Sequence, residues 1–254
     1  MNSVEIIHAD SSNICDYGFC GFKKIEQEGY RRKTDWLKQR FLEGMRFEIL
    51  HAPGEGAAGF IEYIPGEFTW RPIEARGYLT IHCIMIHRKK YKGGGYGSLL
   101  LEQCLSDARR MKANGVAVVT SKGSWMAGSA LFVRHGFKPV DAAPPSFELL
   151  ARKLRKGPLP KFRGGWDKKA RSHGAGLVII RCDQCPCTPK FTKEIVYTAK
   201  ALGMNARVKE LKTCRQAQNA PSPYGIFNVV YDGWVVADHP ISKTRFTNIM
   251  KKIL

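Results

Sequence analysis

Residues Lys92–Ser98 read K-G-G-G-Y-G-S, and this glycine turn decides the fold of the amino-terminal half of the chain. The strand-like run Gly77–His87 precedes it, and apolar residues at three-to-four spacing over Leu99–Met111 predict a helix after it. The first N–H groups of a helix lack intrahelical acceptors and lie at the positive end of the helix dipole. Glycines also remove the side chains that would keep a ligand off the main chain. Strand, glycine turn and helix in this order therefore predict a phosphate-binding turn.

The spacing of the glycines excludes two other phosphate-binding motifs. The turn does not contain G-x-x-x-x-G-K-[ST], the loop that binds nucleoside triphosphates. The dinucleotide fingerprint G-x-G-x-x-G fails because its third position falls on Ser98 or Leu100. The spacing Lys92-x-x-Gly95-x-Gly97 resembles instead the Q/R-x-x-G-x-G/A turn of the GNAT-family N-acetyltransferases, which wraps the pyrophosphate of coenzyme A. An ordinary flexible loop is the alternative interpretation of the turn taken alone.

The sequence after the helix follows the order of the same family. Val116–Thr120 predicts a buried strand, and Trp125–His135 predicts a helix that ends at Gly136. Within this segment, Leu131–Phe137 reads L-F-V-R-H-G-F and is similar to the family pattern L-Y-x-x-x-G-F. The resemblance covers residues 45–154. It implies an acetyl-CoA-dependent N-acetyltransferase with an α/β fold, in which helices flank a mixed, mostly antiparallel sheet.

The resemblance also implies where coenzyme A binds. The pantetheine arm is expected along the strand before the turn, at Ile84, Met85 and Ile86, and the pyrophosphate on the N–H groups of the turn. The expected cofactor-binding residues of the turn are Lys92, Gly93, Gly94, Gly95, Tyr96, Gly97 and Ser98. The stretch Arg88–Tyr91, between strand and turn, is one residue longer than is usual in the family. The resemblance therefore leaves the position of the pantetheine contacts undetermined by one residue. A shift of one residue along a strand moves every side chain to the opposite face of the sheet.

Acetyl transfer from a thioester to an amine needs a group that accepts the amine proton and a route for the thiolate to leave. The candidates for proton acceptor are His82, on the cofactor strand, Glu62, on the neighbouring strand, and Glu74, and a relay through water without a single base stays open. A hydrogen-bonded core histidine and a solvated carboxylate are the alternative interpretations. Phe132 stands where many relatives have a tyrosine that protonates the thiolate, and phenylalanine has no proton to donate. We expect direct transfer in a ternary complex, to a small-molecule or peptide amine that the sequence does not identify.

The carboxyl-terminal half carries a cysteine cluster between a strand, Gly176–Arg181, and a helix, Thr192–Leu202. The cluster, C-x-x-C-x-C, consists of Cys182, Cys185 and Cys187. With a hairpin about Asp232–Gly233 and a last helix, this half resembles a thioredoxin-like α/β module, and the whole chain resembles YoaP-type acetyltransferases. A first thiol near a helix N-terminus would have a lowered pKa, which predicts disulfide exchange. The third thiol leaves open a metal- or metalloid-binding sensor with a regulatory acetyltransferase half, or a recognition module with idle thiols.

Charge and composition divide the chain into three parts. The formal net charge is +19, from 41 Lys and Arg against 22 Asp and Glu. The excess is densest in residues 151–175, where nine basic residues accompany one acidic residue and several glycines and prolines. We therefore predict an acetyltransferase domain over residues 1–154, a basic linker over 155–175 and a thioredoxin-like domain over 176–254. Such a linker would attract nucleic acid, although the chain shows no nucleic-acid-binding motif and a solvated linker is the simpler interpretation.

Hydropathy predicts a cytoplasmic protein without a membrane partner. The longest apolar runs, such as Leu177–Ile180, are too short to span a bilayer, and the first residues lack the layout of a signal peptide. In that compartment, eight cysteines indicate thiols, a metal site or redox chemistry rather than structural disulfides. The oligomeric state cannot be inferred from these patterns.

Overall fold

The computed structural model describes residues 4–123 and 125–254. These residues divide into two compact units. The first contains the chain up to Thr69 together with Ile73–Phe162, and the second contains Trp70–Pro72 together with Arg163–Leu254. Within the described residues, no helix is long and apolar enough to cross a bilayer.

The first unit is built on a mixed sheet. Its elements are β1 (Glu5–Ala9), α1 (Glu28–Phe41), β2 (Arg46–Ala52), β3 (Gly56–Pro65), β4 (Ile73–Glu74), β5 (Tyr78–Ile86), α2 (Tyr96–Arg110), β6 (Gly115–Ser121), α3 (Ala130–Arg134), β7 (Lys138–Ala143), β8 (Phe147–Lys153) and β9 (Lys161–Phe162). In the described part of the chain, seven strands follow the order β1-β2-β3-β5-β6-β8-β7. Only the β5–β6 pair among these is parallel. The predicted fold class, a mostly antiparallel sheet flanked by helices, is confirmed.

Two helices cover opposite faces of this sheet. The apolar stripe of α2, with Leu101, Cys104 and Leu105, packs on a cluster that includes Ile61 and Tyr63 of β3. Side chains alternate along a strand, so the intervening residues of β3 face the other way. There Lys33 of α1 lies over the ring of Phe60. The sheet therefore has an α2 face and an α1 face.

Two segments of the first unit differ from the sequence prediction. The helix predicted over Trp125–His135 is confined to α3, Ala130–Arg134. Trp125 has a φ of +71°, in the left-handed region that a right-handed helix cannot include, so the earlier part of the prediction is wrong. The strand β7 was not predicted, because its alternation is broken by a bulge between Pro139 and Asp141.

The segment predicted as a linker, residues 155–175, contains regular structure. The short strand β9 pairs with β4 in the first unit. The helix α4 (Trp166–Arg171) follows Gly164 and Gly165, which both have positive φ, and belongs to the second unit. The compact units thus meet in sequence at Phe162 and Arg163. Composition did not reveal this, because glycines and basic side chains serve a short exposed helix as well as a linker.

The second unit, described throughout, contains a four-stranded sheet of order β11-β10-β12-β13. Its further elements are β10 (Leu177–Arg181), α5 (Thr188–Ala201), β11 (Ala206–Glu210), α6 (Cys214–Gln218), β12 (Phe227–Tyr231), β13 (Trp234–Ala237) and α7 (Lys243–Ile253). The strand β10 runs parallel to β11 and antiparallel to β12. The sequence predicted β10, α5, the hairpin of β12 and β13 and the last helix in this order, but it did not predict α6. The thioredoxin-like assignment stays a prediction.

Candidate functional site

The helix α2 begins directly at the glycine turn. Gly93 and Gly95 have φ of +82° and +81°, and a Cβ at either position would meet nothing within 4 Å. Leu99 N–H donates to the Gly95 carbonyl, 3.1 Å, as the first bond of the helix. In residues 4–123 and 125–254, the N–H groups from Gly93 to Ser98 have no main-chain acceptor. These amides are thus open to an anion at the positive end of the helix.

The strands β5 and β6 separate in front of this turn. They pair in parallel from Tyr78 and Gly115 to Ile81 and Val118, and no pair is formed beyond that point within the described residues. On its other edge, β5 stays paired with β3 as far as Ile86. Among the described residues, the edge of β5 that faces β6 is therefore without a neighbouring strand over Ile84–Ile86. An extended ligand with amide groups can add to such an edge as a strand does.

A β-bulge sets which side chains of β5 face which layer. Glu62 of β3 pairs with Cys83, and the next residue, Tyr63, pairs with Ile81, so His82 is an extra residue in the ladder. After the bulge, Ile84 and Ile86 pack with Ile81 against the α2 face. By alternation, Met85 is on the α1 face, and its side chain is exposed. The bulge sets the faces that Ile84, Met85 and Ile86 occupy, whereas their contacts with a pantetheine arm stay a prediction.

His82 lies where β5 and β6 separate. The histidine is 5% exposed, and its Nε2 lies 3.2 Å from the hydroxyl of Thr69. Its ring centroid is 6.5 Å from that of Trp36 in α1. Sequence reasoning missed Thr69, because a hydroxyl 13 positions away gives no local signal. The geometry places one titratable imidazole at the inner end of the unpaired edge.

Glu62, the other candidate base, is part of a buried ion pair. It is fully buried, and its Oε2 lies 2.6 Å from Nζ of Lys33. Burial alone would lower the pKa of Lys33, but the Glu62 carboxylate outweighs this effect and raises the pKa above its usual value. Lys33 Nζ also lies 5.5 to 5.6 Å from the ring centroids of Phe19, Phe47 and Phe60. This environment favours a structural role for Glu62, since the carboxylate is held by a cation and shielded from solvent.

Phe132 belongs to the hydrophobic core. It is fully buried in α3, and its ring centroid lies 5.6 Å from that of Phe137. The position that holds a tyrosine in many similar enzymes thus contributes packing here. A proton for a departing thiolate has to come from another group or from water.

A cavity of about 390 Å³ opens on the α1 side of the hairpin formed by β2 and β3. It is lined by the loop Asp16–Lys23 and by His51, Glu55, His87 and Arg88. His87 follows β5 by one residue, and its Nε2–H donates to the Ala57 carbonyl, 3.0 Å. Burial lowers the pKa of His87, which keeps the ring neutral near pH 7. The cavity therefore combines aromatic walls with polar groups next to the end of the cofactor strand.

The cysteines of the second unit are arranged differently from the prediction. Burial raises the pKa of the Cys182 thiol to about 12, and the N–H of Gln184 and the guanidinium groups of Arg181 and Arg71 offset this only in part. The predicted lowering of the pKa of this first thiol is wrong. The helix α5 begins at Thr188, so the residue at its N-terminus is Cys187. Among the described residues, no group of three or more His, Cys, Asp and Glu is placed to hold a metal ion.

Known proteins resemble the chain in both halves. Residues 206–248 match a family model described as YoaP-like. The "Uncharacterized N-acetyltransferase YoaP" of Bacillus subtilis (strain 168) is 27% identical over 252 residues, which are 97% of this chain and 98% of that protein. Similar solved structures include the paia N-acetyltransferase of Thermoplasma acidophilum in complex with coenzyme A. It is 14% identical with a TM-score of 0.44, over 60% of this chain and 99% of that one.

A second solved structure is the ribosomal-protein-S18-alanine N-acetyltransferase of Escherichia coli. It is 13% identical with a TM-score of 0.42, over 61% of this chain and 97% of that one. The YoaP-like match and the similarity to the Bacillus subtilis protein together reach both units. The comparisons therefore confirm the resemblance predicted from the sequence, to acetyltransferases that carry a YoaP-type carboxyl-terminal region.

Proposed function

We propose that the first unit transfers the acetyl group of acetyl-CoA directly to a primary amine. The observation that carries this proposal is the row of open amides from Gly93 to Ser98, at the start of α2 and next to the unpaired edge of β5. The similarity of nearly the whole chain to a protein named as an N-acetyltransferase supports it.

The coenzyme would lie along both features. Its pyrophosphate would accept hydrogen bonds from the turn amides, with the helix dipole and the nearby Lys92 adding positive charge. Its pantetheine arm has two amide groups, which would pair with the main chain of Ile84, Met85 and Ile86 in the place of a strand. This arrangement would bring the thioester to the point where β5 and β6 separate, next to His82.

The chain's own groups then suffice for the transfer. The amine nitrogen attacks the acetyl carbon, the carbon–sulfur bond breaks, and the coenzyme leaves as a thiolate. His82 would take the proton from the amine, directly or through a water molecule. Glu62 is not required in this scheme, because its carboxylate is held by Lys33. A thiolate is a good leaving group, so water can protonate it where Phe132 cannot.

The acceptor amine would have to reach the point where β5 and β6 separate, next to His82. The cavity lined by the loop Asp16–Lys23 borders His87, which is five residues and about 16 Å further along the strand, so the cavity does not identify the acceptor. A panel of small-molecule and peptide amines, with detection of the free coenzyme thiol, would identify the class. The amine that gives the highest rate then serves as the substrate in the kinetic tests below.

The proposal is tested by calorimetry with coenzyme A and a pair of glycine variants. Gly95→Ala puts a methyl group where the pyrophosphate is expected, and Gly203→Ala has the same backbone strain at φ of +75° with equally open surroundings in the other unit. Each variant should lose about 1–2 kcal/mol of stability from the left-handed conformation. Only Gly95→Ala should lose affinity for coenzyme A, by about tenfold or more. Absence of binding by the native protein at millimolar coenzyme A would refute the function, and equal affinities of the two variants would refute the site.

A thiol-based sensor is the second candidate function, and the position of Cys187 at the N-terminus of α5 favours it. This function predicts that the double variant Cys185→Ser/Cys187→Ser loses its response to thiol oxidation, while its affinity for coenzyme A stays unchanged. If acetyl transfer is the function, that variant should transfer acetyl groups at the native rate under reducing conditions.

A further inference from the structure

A short buried segment begins beside His82. This segment, Thr69–Pro72, is here called the strap. Thr69 and Trp70 are fully buried, and Arg71 is 3% exposed. Thr69 and His82 both belong to the first unit.

The first end of the strap touches the candidate base. The Thr69 hydroxyl lies 3.2 Å from Nε2 of His82, and the Thr69 N–H donates to the Gly66 carbonyl, 3.3 Å. A hydrogen bond to one ring nitrogen of a histidine selects its tautomer and its orientation. A hydroxyl that moved by 1 Å would lose this bond, because hydrogen bonds weaken steeply with distance.

We propose that Thr69 is a positioning residue that orients His82 for proton transfer. The inference rests on the proposed function only in taking His82 as the proton acceptor. Both residues belong to the first unit and are buried, and the Thr69 hydroxyl lies 3.2 Å from the His82 ring. Removal of this hydroxyl should therefore change the tautomer and the orientation of the ring without exposing it to solvent.

The first test replaces Thr69. Thr69→Val keeps the shape and removes the hydroxyl, and Thr69→Ser keeps the hydroxyl and removes a methyl group. Thr69→Val should lower kcat about tenfold or more and shift the pH profile of kcat, because general base catalysis contributes on the order of 10² to 10⁴ in rate. KM and the affinity for coenzyme A should change less than about twofold. Thr69→Ser should recover most of the rate. Equal losses in both variants, or an unchanged pH profile in Thr69→Val, would overturn the proposal.

A second measurement does not depend on catalysis. The ¹⁵N chemical shifts of the His82 ring report its tautomer, and in Thr69→Val the balance of tautomers should change relative to the native protein. Unchanged shifts would overturn the positioning role even if the kinetics agreed. If the native protein failed to bind coenzyme A, the proposed function would fail, whereas these shifts would still decide whether Thr69 orients His82.

Discussion

Replacing Lys33 by methionine should destabilise the first unit more than any surface change. Lys33 is 2% exposed and Glu62 is fully buried, with 2.6 Å between Nζ and Oε2. The variant leaves the Glu62 carboxylate in an apolar layer without this ammonium. Removal of one partner of a buried ion pair costs about 3–5 kcal/mol, because the remaining charge stays desolvated. That is a large part of a typical total of about 5–15 kcal/mol.

The double variant Lys33→Met/Glu62→Leu should recover most of this loss. Phe19, Phe47 and Phe60 surround the ammonium, so apolar side chains of similar volume would pack among rings. Replacing both members of a buried pair in this way is often neutral or stabilising. Urea unfolding followed by circular dichroism measures the effect. With a slope of about 2 kcal/mol per molar urea, the single variant should unfold about 1.5–2.5 M earlier than the native protein.

Two results would refute this reasoning. The first is a single variant within about 1 kcal/mol of the native protein, since a buried charge would then cost little. The second is a double variant less stable than Lys33→Met. Lys33→Arg keeps the charge and should remain folded if methionine is too damaging. The double variant also tests Glu62 as a base: it should bind coenzyme A and keep its rate of acetyl transfer if His82 takes the proton.

Three further outcomes follow from other buried groups. Tyr63→Phe removes the 2.6 Å hydrogen bond from the Tyr63 hydroxyl to the buried carboxylate of Asp107. The free energy of unfolding, measured in urea, should fall by about 1–3 kcal/mol, and a loss below about 0.5 kcal/mol would contradict this expectation. Iodoacetamide at pH 8 should label Cys185 before Cys182, as measured by mass spectrometry, because Cys182 is 1% exposed and its pKa is raised to about 12; early labelling of Cys182 would contradict this. Because the folded state holds the Cys182 proton more tightly than the unfolded state, the free energy of unfolding should also fall as the pH rises from about 9 towards 12. Thr213→Ala removes the capping box at the start of α6 and should lower the thermal midpoint through a loss of about 1 kcal/mol, whereas Thr213→Ser should not.

Much of the fold could be predicted from local signals. The glycine turn at Lys92–Ser98 and the apolar stripe of α2 are read within one stretch of chain, and both lie where the sequence placed them. The strands β5 and β6 also lie where the sequence predicted them. The segment from Trp125 failed because its apolar residues have the spacing of a helix, whereas the backbone at Trp125 is left-handed. A periodic pattern shows which side chains are apolar, but it does not show whether φ is positive or negative.

The candidate site was less accessible to sequence reasoning. The turn residues were named through a motif, and their use by a cofactor stays a prediction. The pairing of Glu62 with Lys33 could not be foreseen, because the two residues are 29 positions apart and either could have faced solvent. The bond between Thr69 and His82 likewise depends on how the chain returns after β3. The expected thiolate at Cys182 was wrong because Cys182 lies buried at the end of β10 and α5 begins at Thr188, so the helix dipole acts nearest to Cys187.

The division of the chain between the units has a practical consequence for work on its parts. A fragment that stops at Phe162 would carry Trp70–Pro72 without the residues that bury them, and a fragment from Arg163 onward would lack those same three residues. Neither half is then a complete module, although each has its own sheet. A chimaera that exchanges the carboxyl-terminal half with a homologue should exchange this tripeptide as well. Recombination between such genes at a single crossover would separate the tripeptide from the residues that bury it and would therefore destabilise the product.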